Sequence, residues 1–275
     1  MDESMAPVGP TPAPAPASPP AVQIGSILID NVTQDEADAI IGGWLEERPA
    51  GPRRVCTPNV DYVIRAGRDP AFRGAINGCD LRVPDGMWIV YASRIAGRSL
   101  RGTVTGRLLL PRFAARCSEA GRPIAMMGAG PGVAALAAER LRADNPGLLV
   151  TAATPPTPFV IGSEADAGMV QTLQAARPAI LFVALGAPKQ ELWMDRHAGE
   201  FPDSIMIGVG AAFDVVAGRV REAPAWMTRT GLEWLFRLAQ EPRRLARRYL
   251  WDDPRILGWA VATRARGLVR GPGRK

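Results

Sequence analysis

A chain of 275 residues that is 47% hydrophobic has ample material for a core, which excludes disorder along its whole length. Its net charge of +6 is unevenly placed: from Arg219 to Lys275, fourteen Lys and Arg stand against five Asp and Glu, so the remainder is slightly acidic. Three cysteines without a C-x-x-C spacing and a single unpartnered histidine, His197, indicate no metal site, no disulfide and no Ser-His-Asp triad.

Almost all the positive charge is arginine, since Lys189 and Lys275 are the only lysines. No apolar segment of about 20 residues runs free of charge, Pro or Gly, so no transmembrane helix is expected, and no basic-then-apolar leader opens the chain. The expectation is a cytoplasmic protein. Residues 1–21 are dominated by Pro and Ala and read as a disordered leader. The α/β core is expected over residues 22–218, and a basic helical appendage over 219–275.

Within the core, Ile24–Ile29 reads as a first strand. Thr33 reads as an N-cap, with Glu36 three residues on, for a helix through Leu45. Arg54–Cys56 is a short strand running into Thr57-Pro58-Asn59, followed by a helix from Val60. Asp69 caps a helix through Ile76. Leu81–Val83 is a brief strand that meets Pro84-Asp85-Gly86 and then an apolar helix, Met87–Ile95. Asp85, between a strand end and a helix start, is either a cap or a reagent.

Ile124–Met127 is a strand that runs into Gly128-Ala129-Gly130-Pro131-Gly132 and an Ala-rich helix. Free N–H groups there suit a diphosphate, so Gly128 and Gly130 are candidates; a tight turn without ligand is the equal alternative, because the dinucleotide pattern wants glycine where Val133 stands. After a strand near Leu148–Ala152 and a helix Ala165–Ala176 comes Ile180–Leu185, an apolar run fit for a strand buried on both faces. It ends in Gly186-Ala187-Pro188-Lys189-Gln190-Glu191, which places polar groups at the carboxyl end of a central strand, where open α/β sheets bind ligands. A further strand spans Ser204–Val209. The βα alternation predicts a doubly wound, mostly parallel α/β sheet, with a C-terminal helical appendage (Gly231–Gln240, Arg243–Trp251 and Pro254–Val269). In the last of these helices Ile256, Leu257, Trp259, Ala260 and Val261 lie beside arginines, the mix expected of a membrane-interface helix.

Several motifs, taken in order, resemble the WecG/TagA/CpsF bacterial glycosyltransferases, family 26. They are Thr57-Pro58-Asn59, Pro84-Asp85-Gly86, Val104-Thr105-Gly106, the Gly186–Glu191 run, Gly208–Asp214, Ala223-Pro224, and Gly231–Leu238 followed by Glu241-Pro242-Arg243-Arg244. The resemblance covers about residues 24 to 251. It implies an inverting, metal-independent and cofactor-free transfer of a hexose, N-acetylmannosamine or a related sugar, from a UDP-sugar donor. The acceptor would be a polyprenyl-diphosphate-linked sugar at the inner face of the membrane, in capsule, exopolysaccharide or other cell-surface polysaccharide synthesis. By position, it makes Asp85 the general base and Thr57, Asn59 and Gln190 residues of the sugar and nucleotide cleft. It sends Arg237, Arg244 and Arg247 to the diphosphate. An anionic membrane surface is the expected peripheral partner, nucleic acid is not, and homo-oligomerisation stays open.

One departure stands out. Where the family carries an arginine and an aspartate around Val104-Thr105-Gly106, this chain has Thr103 and Leu108, and Arg101 or Arg107 is expected to supply the charge. Two rival readings remain at this point. One is an NAD(P)-dependent oxidoreductase using the Gly128–Gly132 turn; the other is a nucleic-acid binder using the basic C-terminus.

Overall fold

In a computed structural model, residues 19–48, 51–221, 223–224, 227, 232–240, 242–247, 250 and 254–269 are described. Residues 1–18 of the Pro/Ala-rich leader lie outside them, as do Trp226, Gly231 and Trp251.

The expected first strand is two strands. β1 (Ala21–Ile24) and β2 (Ile27–Asp30) form an antiparallel hairpin. The reason is local: Gly25 turns the chain at φ +61°, and a Cβ there would stand 2.7 Å from Val63 Cγ1. Helix α1 (Gln34–Glu47) starts as expected on a capping box, with the Thr33 N–H donating to Glu36 at 3.0 Å and the Glu36 N–H donating to the Thr33 hydroxyl at 3.3 Å.

The main sheet has six strands: β3 (Arg53–Cys56), β4 (Leu81–Arg82), β5 (Ile124–Gly128), β6 (Val150–Ala153), β7 (Ile180–Ala184) and β8 (Ile205–Gly208). Their order is β4-β3-β8-β7-β5-β6, and every neighbouring pair is parallel. Helices α2 (Val60–Ala66), α3 (Pro70–Asn77), α4 (Met87–Ile95), α5 (Gly106–Glu119), α6 (Val133–Asp144), α7 (Glu164–Ala175), α8 (Lys189–His197) and α9 (Ala212–Val216) connect and cover the strands. This is the doubly wound α/β class.

Strand alternation divides the core. Met126, Ile180, Phe182, Ile205 and Ile207 pack on one face, whereas Ala125, Met127, Leu181, Val183 and Met206 pack on the other. β7 is therefore buried on both faces, with β5 and β8 as its neighbours. Helix α5 escapes sequence reading, because Pro111 interrupts an otherwise helical stretch. It is held by Leu109, Leu110 and Phe113, all fully buried.

The C-terminal helices are α10 (Glu233–Gln240), α11 (Pro242–Arg247) and α12 (Arg255–Val269). α12 lies on α4, and this corrects the expectation that its apolar residues face a membrane. Ile256 and Ala260, one turn apart, are buried in the same cluster as Ile89 and Val90, with Leu257 and Trp259 packed against it. The physical cause is α4 itself, whose buried face needs a cover that the sheet does not provide. Of the five apolar residues singled out there, Val261 stays fully on the surface, at 58% exposure.

Candidate active site

The carboxyl ends of β3, β4, β7 and β8 converge on a cavity of about 770 Å³. β3 delivers Thr57 and Asn59 to its wall, and β4 delivers Asp85. The turn after β7 delivers Gly186 and Gln190, and the turn after β8 delivers Val209 to Ala212 and Asp214. Thr105 to Leu108 enter from the start of α5, and Trp234 and Arg237 from α10.

Each polar group has a local reason for its place. Thr57 is buried and its hydroxyl donates to the Gly208 carbonyl at 3.2 Å, tying β3 to β8. Asn59 caps α2 by accepting the Asp61 N–H at 3.1 Å. The N-cap of α4 is Gly86, at φ +86°, so Asp85 stands one residue before the capping position, and its N–H donates to Pro58 O at 2.9 Å. Its carboxylate is close enough to Tyr62 to be felt there. Gln190 is held through α8, which is fixed from its far side: Asp166 accepts the Trp193 indole N–H at 2.7 Å and pairs with His197 Nε2 at 3.0 Å.

The two arginines near Thr103 are placed differently. Arg101 is engaged with Glu36 and the Asn31 carbonyl and does not line the cavity, whereas Arg107 is 8% exposed and lines it. Arg237 also lines the cavity, from the C-terminal region. Arg244 and Arg247 belong to α11, and their side chains lie outside the described residues. Gly128 and Gly130 are not among the lining residues. Gly128 is instead a close-approach glycine, since a Cβ there would meet the Ala184 carbonyl oxygen at 2.5 Å.

Tyr62 and Trp88 are missed by sequence reasoning, and Glu191 and Trp234 enter it only as motif residues without a role. Tyr62 lines the cavity and donates its hydroxyl to Glu191 at 2.5 Å; Gln190 Nε2 donates to Glu191 at 2.7 Å and to the Tyr62 oxygen at 2.9 Å. Burial pushes the Glu191 carboxyl up to about 7, against the lowering pull of Tyr62 and Gln190. Burial, and then the charge of Glu191, push the Tyr62 phenol well above its ordinary value. Trp88 and Trp234, with ring centroids 5.8 Å apart, join α4 to α10 at the cavity wall. A usable signal existed for Glu191: a carboxylate just inside the helix that follows a fully buried strand must either face solvent or be buried with partners. Tyr62, three residues past Asn59 on a helix start, carried no comparable mark.

Among the described residues no group of three or more His, Cys, Asp or Glu is placed to hold a metal ion. Among those residues, too, no helix is long and apolar enough to cross a membrane.

The chain is 29% identical over 194 residues to an N-acetylglucosaminyldiphosphoundecaprenol N-acetyl-beta-D-mannosaminyltransferase of Bacillus spizizenii, covering 70% of this chain and 73% of that one. It is 27% identical, over the same shares, to the Bacillus subtilis protein of that name. The model of one family, described as Glycosyl transferase WecG/TagA/CpsF family, matches residues 22–269. That span takes in the hairpin from Val22 on, the whole parallel sheet and the C-terminal helices, so this chain belongs to the WecG/TagA/CpsF family of glycosyl transferases.

Proposed function

We propose that the protein transfers a hexose, of N-acetylmannosamine type or related, from a UDP-sugar to a polyprenyl-diphosphate-linked sugar, with inversion and without a metal. The acceptor side rests on the two Bacillus relatives, whose names specify a diphosphoundecaprenol-linked N-acetylglucosamine. The single observation that carries the reading is that one cavity gathers a carboxylate outside any capping position, Asp85, with a buried arginine, Arg107, and a second arginine, Arg237.

In the proposed reaction Asp85 takes the proton of the acceptor hydroxyl. The freed oxygen attacks the anomeric carbon from the face opposite UDP, the new glycosidic bond forms, and the old anomeric carbon–oxygen bond breaks. The electron pair of that bond leaves on the diphosphate, whose charge falls to Arg107 and Arg237, because the guanidinium fork matches phosphate oxygens. General-base assistance of this kind contributes about 10²–10⁴-fold. Thr57, Asn59 and Gln190 would hold the sugar and nucleotide, with Arg244 and Arg247 following Arg237 on the diphosphate side. Gly128 and Gly130 keep a role only if the diphosphate extends toward β5.

The lipid-linked acceptor implies work at the inner face of the membrane, with the basic C-terminal segment against anionic lipid; each basic residue near such a surface adds about 1 kcal/mol. The oxidoreductase alternative yields to the family match and to the two relatives named as transferases. The deciding experiment incubates the full chain with a panel of UDP-sugars and a polyprenyl-diphosphate-GlcNAc analogue, and identifies product by mass. A disaccharide-lipid product supports the reading, and no product with any donor overturns it.

A further inference from the structure

Beneath the floor of the cavity lies a buried acid for which the transfer reaction has no task. Glu191 is 1% exposed, and its Oε1 accepts from both the Tyr62 hydroxyl and Gln190 Nε2. A carboxamide has two N–H hydrogens and a phenol has one. All three are used inside the protein, two of them on Glu191 and the third between Gln190 and the Tyr62 oxygen. Gln190 Oε1 accepts the Gly210 N–H at 3.2 Å and keeps a second lone pair. Thr57 likewise commits its hydroxyl hydrogen, to Gly208 O. Thr57, Tyr62 and Gln190 all line the cavity, and with their hydrogens committed inside the protein these three side chains keep only acceptor capacity. Arg107 and Arg237, elsewhere on its wall, carry donors alone. The backbone is shaped for this arrangement, because a Cβ on Gly208 would stand 2.8 Å from Gln190 Nε2 and displace it.

We propose that Glu191 is a positioning residue that turns the hydrogens of Tyr62 and Gln190 inward, so that the cavity floor receives neutral hydrogen-bond donors of the ligand. Resting on the UDP-sugar reading, those donors are either sugar hydroxyls or the imide N–H of uracil. The arginine side of the cavity then takes the diphosphate. The floor has a second state. A protonated Glu191 donates a hydrogen bond from its own O–H to the Tyr62 oxygen, which frees the phenol O–H to turn toward the cavity and makes one acceptor a donor. The groups around this switch are Tyr62 from α2, Cys56 at the end of β3, and Cys79, Arg82 and Asp85 around β4. Since burial places the Glu191 carboxyl at about 7, the change of state falls near neutral pH.

The test compares the full-length wild type with Glu191→Gln and Tyr62→Phe, measuring kcat and KM for the UDP-sugar between about pH 6 and pH 8.5, and UDP affinity by calorimetry. For the wild type, the KM for donor rises about tenfold toward the acid end, the size of one hydrogen bond exchanged for a donor–donor clash, with kcat changing less. Both variants lose that dependence. If sugar hydroxyls meet the floor, UDP affinity stays flat with pH while KM moves; if uracil does, the two move together. A variant KM that keeps the wild-type pH dependence overturns the proposal. So does a Glu191→Gln chain that fails to fold while Tyr62→Phe retains the wild-type profile. Infrared difference spectra give a reading independent of turnover: the wild type shows a titrating carboxyl band that Glu191→Gln lacks. Without that band the proposal fails even where transfer is seen. A band present with no transfer from any UDP-sugar supports the Glu191 network and overturns the functional reading instead.

Discussion

Asp85→Asn separates chemistry from binding more cleanly than any other change in the cavity. The amide is close to isosteric, the Asp85 N–H to Pro58 O bond at 2.9 Å is a backbone contact that survives, and the helix cap is Gly86, so α4 starts unchanged. What is lost is the ability to accept a proton. With general-base assistance worth about 10²–10⁴-fold, and tenfold in rate equal to about 1.36 kcal/mol, the barrier rises by about 3–5 kcal/mol. UDP affinity holds or improves, because a negative charge has left a cavity that receives a diphosphate. The assay pairs initial rates of sugar transfer with calorimetric UDP binding and a thermal melt of the variant. An Asp85→Asn enzyme at near wild-type rate would refute the base assignment, as would a rate loss that merely tracks lost UDP affinity.

Turnover is expected to survive EDTA, since leaving-group charge is assigned to arginines; activity that vanishes on chelation and returns with Mg²⁺ or Mn²⁺ contradicts this. Arg237→Ala should lower kcat by about 10²-fold with an unchanged melt, whereas Ile256→Ala should cost about 2–4 kcal/mol of stability with kcat kept wherever the chain is folded; the reverse pattern would make Arg237 structural. Glu191, raised from an ordinary 4.5 to about 7, is protonated in the fold but ionised in the unfolded chain between those values, so its contribution falls as pH rises from 4.5 and levels off above 7, by about 3 kcal/mol in all. Denaturant titrations from pH 5 to about pH 8 should show that decline in the wild type and not in Glu191→Gln; parallel pH dependences would remove Glu191 as its source.

What could be read in advance follows from how local each signal was. The runs Ile124–Gly128 and Ile180–Ala184 announce themselves because a strand covered on both faces must be apolar at every position. Thr33 with Glu36, and Asp69 before Pro70, mark helix starts through bonds that span three residues. The hairpin is not legible in the sequence, because Ile24–Ile29 reads as one strand and the partner that makes Gly25 necessary, Val63, lies far along the chain. Helix α5 was lost to Pro111. In the site, Thr57, Asn59, Asp85, Gln190 and Arg237 came from motif positions and do share the cavity wall. The Tyr62–Gln190–Glu191 network needed coordinates, because it closes across helices separated by about half the chain and no periodicity encodes it. The fate of Arg101 turned on Glu36, a residue whose capping role gave no hint that it also holds an arginine.

The C-terminal helices bear on the chemistry through α4, and this couples two roles that the sequence kept apart. α4 begins two residues after Asp85, carries Trp88 into the cavity wall, and turns its other side to Ile256 and Ala260 of α12. Trp88 in turn meets Trp234 on α10, the helix that brings Arg237 to the cavity. The same tail therefore supplies a charge for the proposed leaving group and the packing that fixes the helix next to the proposed base. A parallel sheet offers backbone turns and short polar side chains at its carboxyl edge, but few long cations, because its strands are apolar along their length. Of the three arginines on the wall, Arg107 and Arg112 enter on α5 and Arg237 from beyond the last strand, so all three come from helices added around that edge. Placing the charge proposed for the diphosphate on a tail that also covers α4 makes the completed site depend on the tail being docked.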